Sequence, residues 1–215
     1  MPFRPEGSWS EVRDQSTTLR SSTLPLNFSV ILGSVRRDRI GLRVARYTVA
    51  TLVARGHQVT LVDPLEYQLP LLDRMYKEYP AGQAPLLLER LAGVIRQADA
   101  YVVVSAEYNH SVPPALSNLL DHFLEEYFFK PSAIVCYSAG QFGGVRAAMQ
   151  LRSMLAEMGM SSIPSLLPFP KAHELLDEQG LPAGDRPGKA AVRFFDELEW
   201  YAKALQAARV QATPY

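Results

Sequence analysis

From Asn27 onward two hydrophobic textures take turns along the chain. Short runs rich in β-branched residues are separated by longer segments whose apolar residues recur every three to four positions. The first run, Phe28-Ser29-Val30-Ile31-Leu32, ends at Gly33-Ser34, and its length and branching predict a buried strand. Between Ile40 and Arg55 the apolar residues Ile40, Val44, Tyr47 and Leu52 fall at helical spacing, with Gly56 as a natural stop. Gln58 to Asp63 predicts a second strand, closed by Pro64. An irregular stretch follows from Pro64 to about Pro85 and carries Tyr67, Tyr76 and Tyr79. The alternation then resumes with a helix over Leu86 to Gln97, a strand over Ala100 to Ser105 and a helix from Pro113 to about Phe128. A strand over Ala133 to Tyr137 and a helix over Val145 to Met158 come next. The chain finishes with a weaker strand over Ser162 to Leu167 broken by Pro164, a loop over Lys171 to Pro187, and a helix over Lys189 to Ala208.

Apolar strands flanked by amphipathic helices imply a parallel sheet covered on both faces. Right-handed crossovers turn that sheet into an α/β, doubly wound fold. Residues 1–25, with Pro2, Pro5 and Pro25 among many Ser and Thr, show neither period. They predict a flexible N-terminal arm ahead of one domain over residues 26–215.

Charge and cysteine content narrow the class. Lys plus Arg and Asp plus Glu both number 22 in 215 residues. The zero balance argues against a general nucleic-acid binder and against a strongly acidic electron carrier. Cys136 is the only cysteine, so an intrachain disulfide and a Cys-based metal site are both excluded. Within Ala133 to Tyr137 it reads as strand filling. The four histidines lack metal-ligand spacing. No apolar run approaches about 18 residues, so no membrane-spanning segment is expected. The polar start, with no apolar stretch after Arg4, makes the cytoplasm the expected compartment.

In doubly wound sheets ligands sit past the carboxyl ends of the strands. Three such ends carry candidate chemistry here. Gly33-Ser34-Val35-Arg36-Arg37-Asp38-Arg39-Ile40-Gly41 combines small residues, the Ser34 hydroxyl, the charges of Arg36 and Arg39, and a helix N-terminus at Ile40 and Gly41. That is the composition of a phosphate site, although a solvated basic turn would look similar. The standard dinucleotide and P-loop fingerprints are both absent. After the third strand, Glu107, Tyr108, Asn109 and His110 form a dense polar turn. There Tyr108 could cover a planar ligand and Asn109 could bond a heterocycle edge, or Asn109 and Ser111 could cap the next helix. After the fourth strand, Ser138-Ala139-Gly140-Gln141 leads into Gly143 and Gly144, which would let backbone approach a flat ligand or would simply make a tight turn. The three loops share one rim if the strands lie in the order 2-1-3-4-5, which places flavin mononucleotide (FMN) at its switch point.

The segments Gly33-Ser34 with Arg36, Glu107-Tyr108-Asn109-His110-Ser111 with Pro114-Ala115-Leu116, and Ser138-Ala139-Gly140 with Gly143-Gly144 resemble the NADPH-dependent FMN reductases. These are flavodoxin-like flavoproteins that include quinone, azo-dye and chromate reductases. Leu69-Pro70-Leu71-Leu72-Asp73 is similar to that family's loop after the second strand. The resemblance implies a five-stranded flavodoxin-like sheet of order 2-1-3-4-5 with FMN and NADPH as cofactors. Ser34, Arg36, Arg39, Ile40 and Gly41 would hold the FMN phosphate. Glu107, Tyr108, Asn109 and His110 would contact the ribityl chain and isoalloxazine, and Ser138, Ala139, Gly140 and Gln141 would lie along the ring. Electrons would pass from NADPH through FMN to a small acceptor such as a quinone, azo compound, metal oxyanion or free flavin, with no side-chain acid or base required. The rivals are a flavodoxin-type shuttle acting on a partner protein, which zero net charge disfavours, and a regulatory or binding module on the same fold with no turnover. Ala106 departs from the proline common in that family before Glu-Tyr-Asn. The apolar content of Leu116 to Phe129 predicts a subunit contact, and the resemblance implies a homodimer or homotetramer.

Overall fold

A computed structural model describes residues 25–185 and 187–215. The expected N-terminal arm, apart from Pro25, lies outside them. Five strands, β1 (Asn27–Leu32), β2 (Gln58–Val62), β3 (Ala100–Ala106), β4 (Pro131–Tyr137) and β5 (Ser161–Phe169), form one sheet. The order is β2-β1-β3-β4-β5 and every pairing is parallel, as the sequence predicts. Between them run α1 (Gly41–Ala54), α2 (Leu86–Gln97), α3 (Pro114–Asp121) and α4 (Val145–Glu157), with a short α5 (Ala172–Leu175) and a long α6 (Gly188–Gln211) at the end.

Strand alternation divides the core into two layers. Val30, Leu32, Val102, Val104, Ala133 and Val135 face α1 and α6. Ile31, Tyr101, Val103, Ile134 and Cys136 face α2, α3 and α4. β3 and β4 are buried at every position, which explains their unbroken apolar runs. Cys136 is one of these core groups, and burial pushes its thiol up to about 12, so it stays protonated at neutral pH. β5 tolerates Pro164 because it is an edge strand with a register shift against Ser132 and Ile134. Arg152 donates to the carbonyls of Ile163 and Pro164 at 2.6 and 3.0 Å and satisfies the bulge.

The helix expected to reach Phe128 stops at Asp121. The amide of Tyr76 takes the carbonyl of His122 at 2.8 Å, an acceptor that a continuing helix would need. Leu124 leaves helical backbone, and a single 3-10 turn spans Glu125–Tyr127. The break turns Phe123 and Tyr127 into this chain's own core, where Tyr127 meets Tyr101 edge-on at 5.3 Å. The apolar residues expected to need a second subunit are thus largely covered from within. β5 is also longer than expected, and the predicted loop over 171–187 contains α5.

Lys130 closes the lower end of α2. Only 8% exposed, its ammonium donates to the carbonyls of Ile95, Arg96 and Glu126 at 2.8–3.0 Å and to the Tyr101 hydroxyl at 3.1 Å. Burial lowers its pKa from 10.5 to about 8. The folded state therefore binds fewer protons than the unfolded chain between those values, and stability from this group rises as pH increases from about 8 to 10.5. Urea titrations at several pH values should find that rise in the wild type and a flatter profile in Lys130→Met. The variant should also be less stable at neutral pH by about 1–3 kcal/mol, because the Arg96 carbonyl loses its donor and the Ile95 and Glu126 carbonyls each lose one of those they have.

Candidate active site

The ends of β1, β3 and β4 open onto one crevice, since these strands are neighbours while α1 and α3 leave to opposite faces. On the β1 side, Gly33 donates to the Val104 carbonyl at 2.9 Å, and a Cβ there would lie 2.9 Å from Leu116. Gly41 opens α1 against Tyr137, whose hydroxyl a Cβ would meet at 2.2 Å. The Tyr137 ring is therefore the floor on which the helix N-terminus rests. Burial pushes its hydroxyl up to about 12, so it is neutral. Ser34 is buried, lies 3.2 Å from the Tyr108 hydroxyl and accepts the Arg36 amide at 3.4 Å. Among the described residues, the backbone amides of Ser34, Val35, Arg37, Asp38, Ile40 and Gly41 carry no hydrogen bond. This is a set of donors left unpaired by the described residues at a helix N-terminus, with Arg36 exposed beside it.

Arg39 differs from Arg36. It makes a bidentate pair with Asp63 at 2.6 and 2.5 Å and donates to the Ser34 carbonyl at 3.0 Å. Both side chains are nearly buried. Arg39 therefore ties the loop to the end of β2 and shapes it from behind.

On the β3 side, Tyr108 and Ser111 exchange both backbone hydrogen bonds, at 3.1 and 2.9 Å, around Asn109 and His110. Both central residues have positive φ, 52° and 62°, as a tight two-residue hairpin turn of the mirror-image class requires. Asn adopts this backbone readily, so the strain falls mainly on His110, at about 1 kcal/mol. Gln150 of α4 holds it, donating to the His110 carbonyl at 2.9 Å and accepting from the Ser111 hydroxyl at 2.8 Å.

Glu107 joins this turn to the third loop. Its side chain is 11% exposed, and one carboxylate oxygen accepts the amides of Arg146 and Ala147 at 3.0 and 3.2 Å. The N-cap of α4 is Gly144, which has no side chain for that purpose. Glu107 thus caps α4 from another loop. Its other oxygen lies 3.6 Å from the Arg146 guanidinium, which stacks on Phe142 at 4.2 Å.

In the third loop Ser138 is consumed internally: its hydroxyl donates to Gly140 O and accepts Gly143 N, both at 2.9 Å. Gly143 and Gly144 have positive φ, and a Cβ at Gly144 would strike the Tyr137 backbone at 2.8 Å. Gly140 instead faces open space, and Ala139 and Gln141 beside it are exposed.

A match to the family described as NADPH-dependent FMN reductase covers residues 26–174. The chain belongs to that family. A quinone reductase of Escherichia coli K12 is 34% identical over 134 residues, covering 60% of this chain and 69% of that one. A quinone reductase of Pseudomonas putida is 30% identical over 189 residues, covering 83% and 96%. An NAD(P)H-dependent FMN reductase of Saccharomyces cerevisiae is 27% identical over 150 residues, covering 64% and 78%. Among solved structures, the flavoenzyme NAD(P)H:(acceptor) oxidoreductase FerB of Paracoccus denitrificans shares the fold at TM-score 0.63 and 20% identity, covering 85% and 98%. The match and these relatives make it an enzyme of the NAD(P)H-dependent FMN reductase and quinone reductase family.

The crevice fits FMN chemically. A terminal phosphate would find amides unpaired among the described residues and a nearby guanidinium, and a flat ring would find open space at Gly140. Of the sequence-derived candidates, Arg36, Asn109, His110, Ala139, Gly140 and Gln141 are exposed toward solvent, and Ile40 and Gly41 contribute unbonded amides. Arg39, Glu107 and Ser138 are engaged with protein partners. Sequence reasoning overlooked Asp63, Tyr137 and Gln150. An acidic residue closing β2 was a usable signal for Asp63, whereas nothing local marks Gln150.

Glu107→Ala should lower stability by about 1–2 kcal/mol through loss of the α4 cap, measured by urea denaturation of the flavin-free protein. His110→Gly should raise it by about 1 kcal/mol by relieving the left-handed backbone. A destabilised His110→Gly would contradict the strain assignment.

Proposed function

We propose that this enzyme takes hydride from NADPH onto bound FMN and passes the electrons to a small acceptor such as a quinone, azo compound, metal oxyanion or free flavin. The observation that carries this reading is the row of amides, unbonded among the described residues, that runs from the end of β1 into α1 beside the Tyr108–Ser111 turn, where the Ser34 and Tyr108 hydroxyls lie 3.2 Å apart. When bound, FMN supplies the hydride acceptance and electron release, so the protein's task is to bind, orient and screen.

In this reading the amides of Ser34 and of the residues through Ile40 and Gly41 hold the phosphate, with Arg36 as the charged partner and Arg39 as the strut behind. Tyr108, Asn109 and His110 face the ribityl chain and the ring edge, and Ala139, Gly140 and Gln141 line the ring. Glu107 and Ser138 keep the two walls at the right separation. Proton supply to a reduced quinone can come from water, so no side chain is assigned as acid or base. Relatives named quinone reductase favour a quinone among the acceptors. Arg146, 40% exposed at the rim, supports NADPH over NADH because it can meet an extra phosphate. Zero net charge favours a small acceptor over a partner protein. Among the described residues no helix is long and apolar enough to cross a membrane. The family resemblance supports a homodimer or homotetramer.

Arg36→Ala should weaken FMN by about 1.5–3 kcal/mol and leave riboflavin unaffected, by fluorescence titration of the apoprotein. Equal losses for both ligands would remove Arg36 from the phosphate. Gln150→Leu should weaken FMN and riboflavin alike by about 1 kcal/mol, since it loosens the turn and not the phosphate loop. Donor and acceptor must use the same exposed flavin face in turn, so initial rates for NADPH and a quinone should give parallel double-reciprocal lines. Intersecting lines would reject a shared place.

A further inference from the structure

A cavity of about 200 Å³ lies between the segment Gln68–Arg74, the start of α2 and the far end of α3. Leu69, Pro70, Tyr79, Leu87 and Leu88 make its walls mainly apolar. His122 also lines it and is only 3% exposed. The ring's Nδ1 lies 2.6 Å from the Asn118 carbonyl oxygen. A carbonyl can only accept, so Nδ1 is the donor, and in the neutral ring Nε2 is left as a bare acceptor. That nitrogen has no hydrogen-bond partner among the described residues. The cavity is also pre-formed. Asn118 donates from its carboxamide to the Pro70 carbonyl at 2.8 Å and accepts the Leu72 amide at 2.9 Å, so the segment is fastened to α3.

We propose that this cavity binds a single-ring hydroxylated aromatic, a phenol or hydroquinone, whose hydroxyl donates to His122 Nε2 while its ring fills the apolar walls. Size agrees, because an apolar cavity of about 150 Å³ already takes a benzene ring. Chemistry agrees as well: a mainly apolar wall whose one buried polar group is an acceptor favours a neutral ring that carries one donor. A charged head group would find no buried countercharge, since Asp73 and Arg74 sit at the exposed mouth. The lining of this cavity differs from that of the flavin crevice. It shares no residue with the three strand-end loops, and His122 lies about 12 Å along α3 from Pro114. A bound ring would bridge α3 to the segment that follows β2. The proposal does not rest on the flavin reading.

Phenol and toluene, which differ by the hydroxyl, are the probes, titrated calorimetrically into the purified full-length, flavin-loaded protein. Phenol should bind once per chain and at least about fivefold tighter than toluene. His122→Phe should erase that preference, and Leu87→Trp, which fills the cavity from a half-buried position, should weaken both probes by about tenfold or more. The flavin absorption spectrum should not change on phenol binding. Should His122→Phe fail to fold, the ¹⁵N signal of His122 Nε2 in the wild type decides, and phenol must shift it. Absence of phenol binding, no preference over toluene, binding that survives Leu87→Trp, an unmoved Nε2 signal or a perturbed flavin spectrum would each overturn the proposal.

Discussion

The carboxylate of Glu107 accepts two amides from the first turn of α4, and through that one contact the end of β3 is fastened to the start of the neighbouring helix. Much else in the crevice hangs on it. With α4 held there, Gln150 reaches back to the His110 carbonyl and the Ser111 hydroxyl. The turn so clamped can keep two non-glycine residues in left-handed backbone. Gly144 can serve as N-cap without a side chain because the cap arrives from elsewhere. An acidic residue at this point thus does structural work that a ligand contact alone would not explain.

The β1 loop follows the same logic with opposite charge. Asp63 holds Arg39, and Arg39 holds the Ser34 carbonyl, so the loop is shaped from below and its amides are left free above. Tyr137 sets the height of α1 by occupying the space any side chain at residue 41 would need. Buried polar groups here bond mainly to one another, which leaves the unsatisfied donors concentrated where an anion would sit. The sheet order makes this possible, since β1 and β3 are neighbours whose following helices leave to opposite faces.

The strands were legible because β3 and β4 are buried throughout and their residues could hardly be anything else. The three loops were legible because small residues and polar clusters interrupt those runs at fixed places. Less legible was the end of α3. Phe123 and Tyr127 continue the helical period, yet a long-range hydrogen bond from Tyr76 to His122 breaks the helix and turns the rings inward. The sorting of site residues into those that face a ligand and those that hold the walls was equally hidden. Arg36 and Arg39 look alike in sequence and differ only because Asp63 lies within reach of one of them. Gln150 carries no local mark, because its partners come from a loop 40 residues earlier.

The central claim is that these loops hold FMN where a nicotinamide donor can reach it. Anaerobic titration of the purified, FMN-loaded protein with NADPH, followed at the flavin absorption band, tests it most directly. One equivalent of NADPH per flavin should bleach the band completely, and air should restore it. Flavin that stays oxidised under excess NADPH and NADH alike would contradict the account.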